Sequence, residues 1–270
     1  MMKSIEDILF FIQKKGKLTF SSEELKKQFP EKTVRAIELA VNRLISQKKI
    51  VPVLKGFYAI IPAEYAVWAI IPPTMYLDAL MKHLKRPYYL SLLNAAEFYG
   101  AAHQKPQQYS VVTVLPPLRD TIKRNIKINF IATRKEIPQN WLKQFKAQLG
   151  IIKVSTPELT AADLITFQKE IGGINRACTV LFELMEVVKF GKLDKLFFDY
   201  VPTSTIQRLG YLLENELEQP KQADILYSKA KTYGCKFQKI PLKYSKQIEG
   251  CNTDKKWKII VNEYIEIDEL

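Results

Sequence analysis

Three helix-period segments followed at once by a hairpin pattern, then strands and helices in mixed order with no regular βαβ or solenoid repeat, predict an α+β chain. The N-terminal part has the elements of a winged helix-turn-helix, and a mixed α/β C-terminal domain follows. The charge divides the chain in a similar way. Of the net +13, residues 1–60 hold 12 Lys+Arg against 6 Asp+Glu, residues 61–150 hold 12 against 5, and residues 151–270 hold 17 of each. The excess is confined to the first 150 residues, which points to a polyanion partner for that part only.

The first helix opens with Ser4-Ile5-Glu6-Asp7, a capping-type start, and repeats Ile5, Ile8, Leu9 and Ile12 before Lys15-Gly16 ends it. Ser21-Ser22-Glu23-Glu24 is a second capping box, ahead of a short helix stopped by Pro30. A third helix is expected from near Glu31 to about Gln47, with Val34, Ile37, Val41, Leu44 and Ile45 as its apolar stripe. Its other face then presents Lys32, Thr33, Arg35, Asn42 and Arg43. The stretch "IVPVLKGFYAIIP", residues 50–62, reads as a hairpin turning at Lys55-Gly56, where glycine supplies the positive φ. Alone, such a ribbon is barely stable, so it is expected to pack on the helices with Lys55 projecting beside the third.

In a helix-turn-helix the recognition helix enters the DNA major groove with its N-terminal residues nearest the base edges. Lys32, Thr33 and Arg35 are therefore best placed for the groove. Lys48, Lys49 and Lys55 are better placed for phosphates. The domains expected are residues 1–62 for the winged helix, 63–87 as an apolar connecting segment and 88–270 for the α+β domain.

With 47% hydrophobic and 26% charged residues the chain reads as soluble and globular. Met1-Met2-Lys3-Ser4 runs into an amphipathic helix, unlike a secretory signal. The segment from Phe57 to Met81 has no lysine or arginine, but Glu64, Asp78, Pro62 and Pro72-Pro73 argue against a membrane span. Cys178, Cys235 and Cys251 are widely spaced, as expected of reduced residues in a cytoplasmic protein rather than a disulfide framework or zinc site. The two histidines, His83 and His103, are too few for a histidine-rich metal site.

In the second half, Ser91 reads as a cap for a helix ending at Gly100, and "YSVVTVL", "IKINFIA" and "IIKVST" read as strands. "NWLKQFKAQLG" after Pro138 reads as a helix. Another is expected to start at a capping box, Thr160-Ala161-Ala162-Asp163, and to break at Gly172-Gly173. "NRACTVLFELMEVVKFG" follows as a long helix, the remainder is mostly helical, and a late strand is expected in "KWKIIVNEYIEI".

The "GFYAIIPAEY" exit from the hairpin, "YYLSLLNAAEFYGAAHQKPQQYSVVT", and "IKVSTPELTAADLITF" followed by "GGINRACTVLFEL" resemble the AbiEi family of bacterial type IV antitoxins. The similarity covers roughly residues 5–190, and its middle stretches are the specific ones. It implies a cytoplasmic transcriptional autorepressor of a phage-defence (abortive-infection) toxin-antitoxin system. Such proteins bind operator inverted repeats in double-stranded DNA, which suits a homodimer, and oppose a nucleotidyltransferase-type toxin. The resemblance carries over no catalytic residues.

An enzyme reading needs a site, and the alternative is a DNA-targeted nuclease or modifying enzyme docked by the winged helix. The chain has no G-x-x-x-x-G-K-[ST] and no G-x-G-x-x-G. Asp163 and Glu170, seven apart, could share a helix face and hold a metal, although Asp163 fits the capping box better. His103 has no evident Cys, Ser or Asp partner. Tyr88, Tyr89, Tyr99 and Tyr109 could stack on bases but read as core. No cofactor, metal or catalytic residue is expected. A purely protein-binding winged helix is a third reading.

Overall fold

The computed structural model describes residues 5–68, 70–102, 108–123, 126–147 and 150–267. Helices α1 (Ile5–Lys14), α2 (Ser22–Gln28) and α3 (Val34–Ser46) pack against an antiparallel sheet of β1 (Thr19–Ser21), β2 (Ile50–Leu54) and β3 (Phe57–Ile60), in the order β1-β3-β2. Leu54 pairs with Phe57 across a turn at Lys55-Gly56, where Gly56 has φ 76°. The hairpin is steadied by β1, which pairs Ser21 with Phe57, a third strand that the sequence reading did not foresee.

The capping box at α2 forms as expected: Glu24 N–H donates to the Ser21 hydroxyl, and Ser21 N–H donates to the Glu24 carboxylate at 2.6 Å. Helix α3 begins three residues later than expected because Thr33 is its cap, accepting from Ala36 N–H at 3.2 Å. Ser4 lies outside the described residues.

Residues 63–87 contain α4 (Leu77–His83), whose Leu77, Leu80 and Met81 are buried. They cover one face of a six-stranded mixed sheet built from β4 (Tyr88–Leu90), β5 (Gln108–Val114), β6 (Thr121–Lys123), β7 (Ile126–Thr133), β8 (Leu142–Lys146) and β9 (Ile151–Ser155), in the order β6-β7-β5-β4-β9-β8. Strand alternation sends neighbouring residues to opposite faces. Leu90, Val111, Phe130 and Val154 face α4 and share one apolar core with Leu25, Ile37, Phe57 and Met81. Tyr89 and Val112 face the other way, into a helical layer.

That layer comprises α5 (Leu92–Glu97), α6 (Pro157–Thr166), α7 (Ile174–Leu184), α8 (Lys195–Tyr200), α9 (Thr203–Asn215) and α10 (Pro220–Thr232). A short parallel pair, β10 (Ile240–Pro241) and β11 (Ile259–Ile260), closes the chain.

Three local expectations are corrected. The segment after Pro138 is a 3-10 turn followed by strand β8, not a helix. Trp141 and Phe145 at i, i+4 mimic a helical stripe, but Phe145 pairs with Ile152 on the neighbouring strand and meets the Phe98 ring at a tilt, centroids 4.8 Å apart. Helix α6 is capped by Thr156, not Thr160, so Asp163 sits inside it. Helix α7 ends at Leu184, short of Gly191. Gly172 and Gly173 do break the chain, both with positive φ, between a 3-10 turn and α7.

The segment after α10 is tied down by polar groups. Gln207 Nε2 donates to the carbonyls of Gln238 and Trp257, both at 2.7 Å. The buried Arg208 donates to the carbonyls of Pro241 and Leu242 and stacks under Tyr244 at 4.3 Å. Trp257, fully buried, donates its indole N–H to Glu214 at 2.6 Å. A buried cation is tolerated only when its donors are satisfied, and here the closing segment supplies those acceptors.

Candidate nucleic-acid interface and antitoxin domain

Helix α3 buries Ile37, Val41 and Leu44 and turns Arg35, Leu39, Asn42, Arg43 and Ser46 to solvent. Arg35, Leu39, Asn42 and Arg43 follow i, i+4, i+7, i+8 spacing, so they form one continuous stripe. The hairpin turn lies beside it. A cleft of about 590 Å³ between α2, α3 and the turn is lined by Lys26, Val34, Glu38, Asn42, Lys55 and Tyr58 among others. The turn is anchored by Ser22 N–H, at the start of α2, which donates to the Gly56 carbonyl at 2.8 Å. Asn42 and Lys55 thus line one cleft.

The first residues of α3 are more occupied than expected. Lys32 is half-buried with its ammonium 4.4 Å from the Phe29 ring centroid, a cation–π contact. The Thr33 hydroxyl is spent on the cap. Arg35 and Arg43 are exposed. Lys48 and Lys49 are exposed in the turn after α3, Lys48 with φ 56°, where positive charge also complements the helix C-terminus. Leu39, 61% exposed, was missed. Its only sequence signal is an apolar residue in the middle of an otherwise polar face.

The carboxylates considered for a metal are not placed together for one. Asp163 is buried and accepts from the Ser91 hydroxyl at 2.6 Å, so Ser91, at the start of α5, uses its side chain to tie α5 to α6 and makes no side-chain cap bond. Burial pushes the Asp163 carboxyl up to about 7, against the opposing pull of hydrogen bonds from Ser91 and Tyr89. Tyr89 and Tyr200 share a hydroxyl–hydroxyl bond at 3.1 Å beside it, and burial raises both phenols. Helix α6 ends before Glu170, which is exposed and accepts from Asn129 at 2.8 Å. Among the described residues no three His, Cys, Asp or Glu side chains come together as metal ligands. Burial also raises the Cys178 thiol to about 12, the setting of an inert core cysteine. Tyr88 and Tyr89 are buried, Tyr99 and Tyr109 half-buried; His103 lies outside the described residues.

The model of the AbiEi antitoxin C-terminal domain matches residues 89–215. Residues 89–215 thus form an AbiEi antitoxin C-terminal domain. The matched span runs from β4 to the end of α9, and so holds the greater part of the sheet and the Asp163 network. The AbiEi domain gives the chain an antitoxin role in a toxin-antitoxin system, with a toxin as counterpart. No curated protein sequence matches the chain. The fold is similar to the crystal structure of the RV2827C protein from Mycobacterium tuberculosis, with TM-score 0.64 and 15% identity over 93% of this chain and 89% of that one. That likeness extends well beyond the AbiEi domain into the N-terminal helices and hairpin. Among the described residues no helix is long and apolar enough to cross a membrane.

Proposed function

We propose that this AbiEi antitoxin is also the transcriptional autorepressor of its own operon, with residues 1–62 acting as a winged helix-turn-helix, 63–87 as the connecting segment and 88–270 as the antitoxin domain. The observation that carries the reading is the exposed stripe of α3 lying beside the Lys55 turn, in a segment with twice as many Lys+Arg as Asp+Glu. Arg35, Asn42 and Arg43 face base edges. Lys48, Lys49 and Lys55 meet phosphates, with Lys32 and Thr33 bracing the start of the helix. Operator inverted repeats are read by two copies, and the antitoxin domain opposes a nucleotidyltransferase-type toxin in the cytoplasm.

The test is a salt titration of binding to a duplex from the promoter of the chain's own operon and to a random duplex. A DNA-reading head loses affinity steeply with salt through counterion release and prefers the promoter. Binding that is salt-insensitive, or equal on both duplexes, rejects the reading. Growth rescue from a co-transcribed nucleotidyltransferase by the full chain tests the toxin assignment separately.

A further inference from the structure

We propose that Leu39 is a sequence-reading residue that contacts the 5-methyl group of a thymine in the major groove. This rests on the DNA-binding reading and takes it from attraction to discrimination.

A single exposed leucine is ordinary on a protein surface. Leu39 stands apart because of its place. It is 61% exposed at the centre of the outward face of α3, opposite the buried Ile37, Val41 and Leu44. Arg35 precedes it by one turn, and Asn42 and Arg43 follow by one. An apolar protein partner closing over Leu39 would strip water from both guanidinium groups without pairing them, which is costly. A DNA major groove offers what this stripe lacks. Guanine O6 and N7 on the groove floor can take the two arginines, and among the four bases only thymine presents an apolar methyl there. Asn42, three residues on and on the same stripe, is the side-chain type that pairs with adenine N6 and N7. Leu39 and Asn42 together therefore address A·T pairs at the middle of the contact. The early residues of α3 are poorly free for this work, since Thr33 caps the helix and Lys32 sits on Phe29.

The test removes the thymine methyls on one side and the leucine isopropyl group on the other. Promoter duplex is compared with the same duplex in which uracil replaces every thymine, using wild-type protein and Leu39→Ala. Wild type is expected to favour the thymine duplex by about four-fold for the methyl that Leu39 buries. Leu39→Ala loses that share of the preference while binding the uracil duplex as wild type does, and Leu39→Met retains it. An equal thymine preference in wild type and Leu39→Ala, or an equal loss on both duplexes, overturns the assignment and leaves the DNA-binding reading standing. A change in self-association on Leu39→Ala without DNA, seen by sedimentation, assigns the face to a second copy and also overturns it. Wild type that does not prefer the promoter to random duplex removes both readings.

Discussion

The outer edge of the Trp257 indole abuts Gly210 of α9 so closely that a Cβ added to that glycine would clash with its Cη2, Cζ3 and Cζ2. Helix propensity alone says that replacing a mid-helix glycine with alanine stabilises by up to about 1 kcal/mol. Packing says the opposite, because the indole is fully buried and hydrogen-bonded to Glu214 and has nowhere to go. Overpacking should win, and Gly210→Ala is expected to destabilise by about 1–3 kcal/mol in urea unfolding. A stabilised variant would show that the closing segment is not seated on α9.

Asp163 makes stability depend on pH. Its folded pKa of about 7 lies above the ordinary aspartate value of 3.8, so between those values the folded state holds more protons than the unfolded chain. Stability therefore falls as pH rises from about 4 to 7, by on the order of 4 kcal/mol from this group, and levels off above. Asp163→Asn keeps an acceptor for Ser91 and should flatten that part of the curve. Unfolding free energies measured at pH 5 and pH 8 in both proteins check it, and an unchanged difference in the variant would rule out Asp163 as the source.

Thr33 was expected at a base edge, and the structure spends its hydroxyl on Ala36 N–H. Thr33→Val should cost about 1 kcal/mol of stability as a lost cap. Its preference for promoter over random duplex should be unchanged once the folded fraction is equal. A specific loss on the promoter alone would return Thr33 to the groove.

Arg35 and Lys55 should differ in kind. If Arg35 reads a base, Arg35→Ala weakens promoter binding by about 1–3 kcal/mol and relaxes sequence preference. Lys55→Ala weakens promoter and random duplex alike and lowers the salt slope by about one. Superimposable titrations of the two variants would dissolve the distinction.

Much of the local structure was legible because it is written in short range. The Ser21 capping box, the Lys55-Gly56 turn, the Gly172-Gly173 break and the β-rich runs in β5, β7 and β9 all follow from neighbours within a few residues. What was misread depends on distant partners. Strand β8 looks helical until β9 is beside it, and Asp163 looks like a cap residue until Ser91, 72 positions away, donates to it. In the candidate interface Arg35, Asn42 and Arg43 on the outward face of α3 were readable from period, but Leu39 between them was not. The engagement of Lys32 by Phe29 was not, because a cation–π contact leaves no periodic mark. The even charge of residues 151–270 likewise gave no hint that the buried Arg208 is held by carbonyls of Pro241 and Leu242.

The apolar mass that begins at Leu9 in α1 continues without a break through Phe57 and Met81 to Val154 in the six-stranded sheet, and the His83 ring rests on Phe57 at 4.9 Å. A swivel between the basic head and the antitoxin body would tear this seam open and wet it. The two ends are thus welded at a set angle, like a key and its bow, so whatever one end holds stands at a fixed offset from whatever the other end holds.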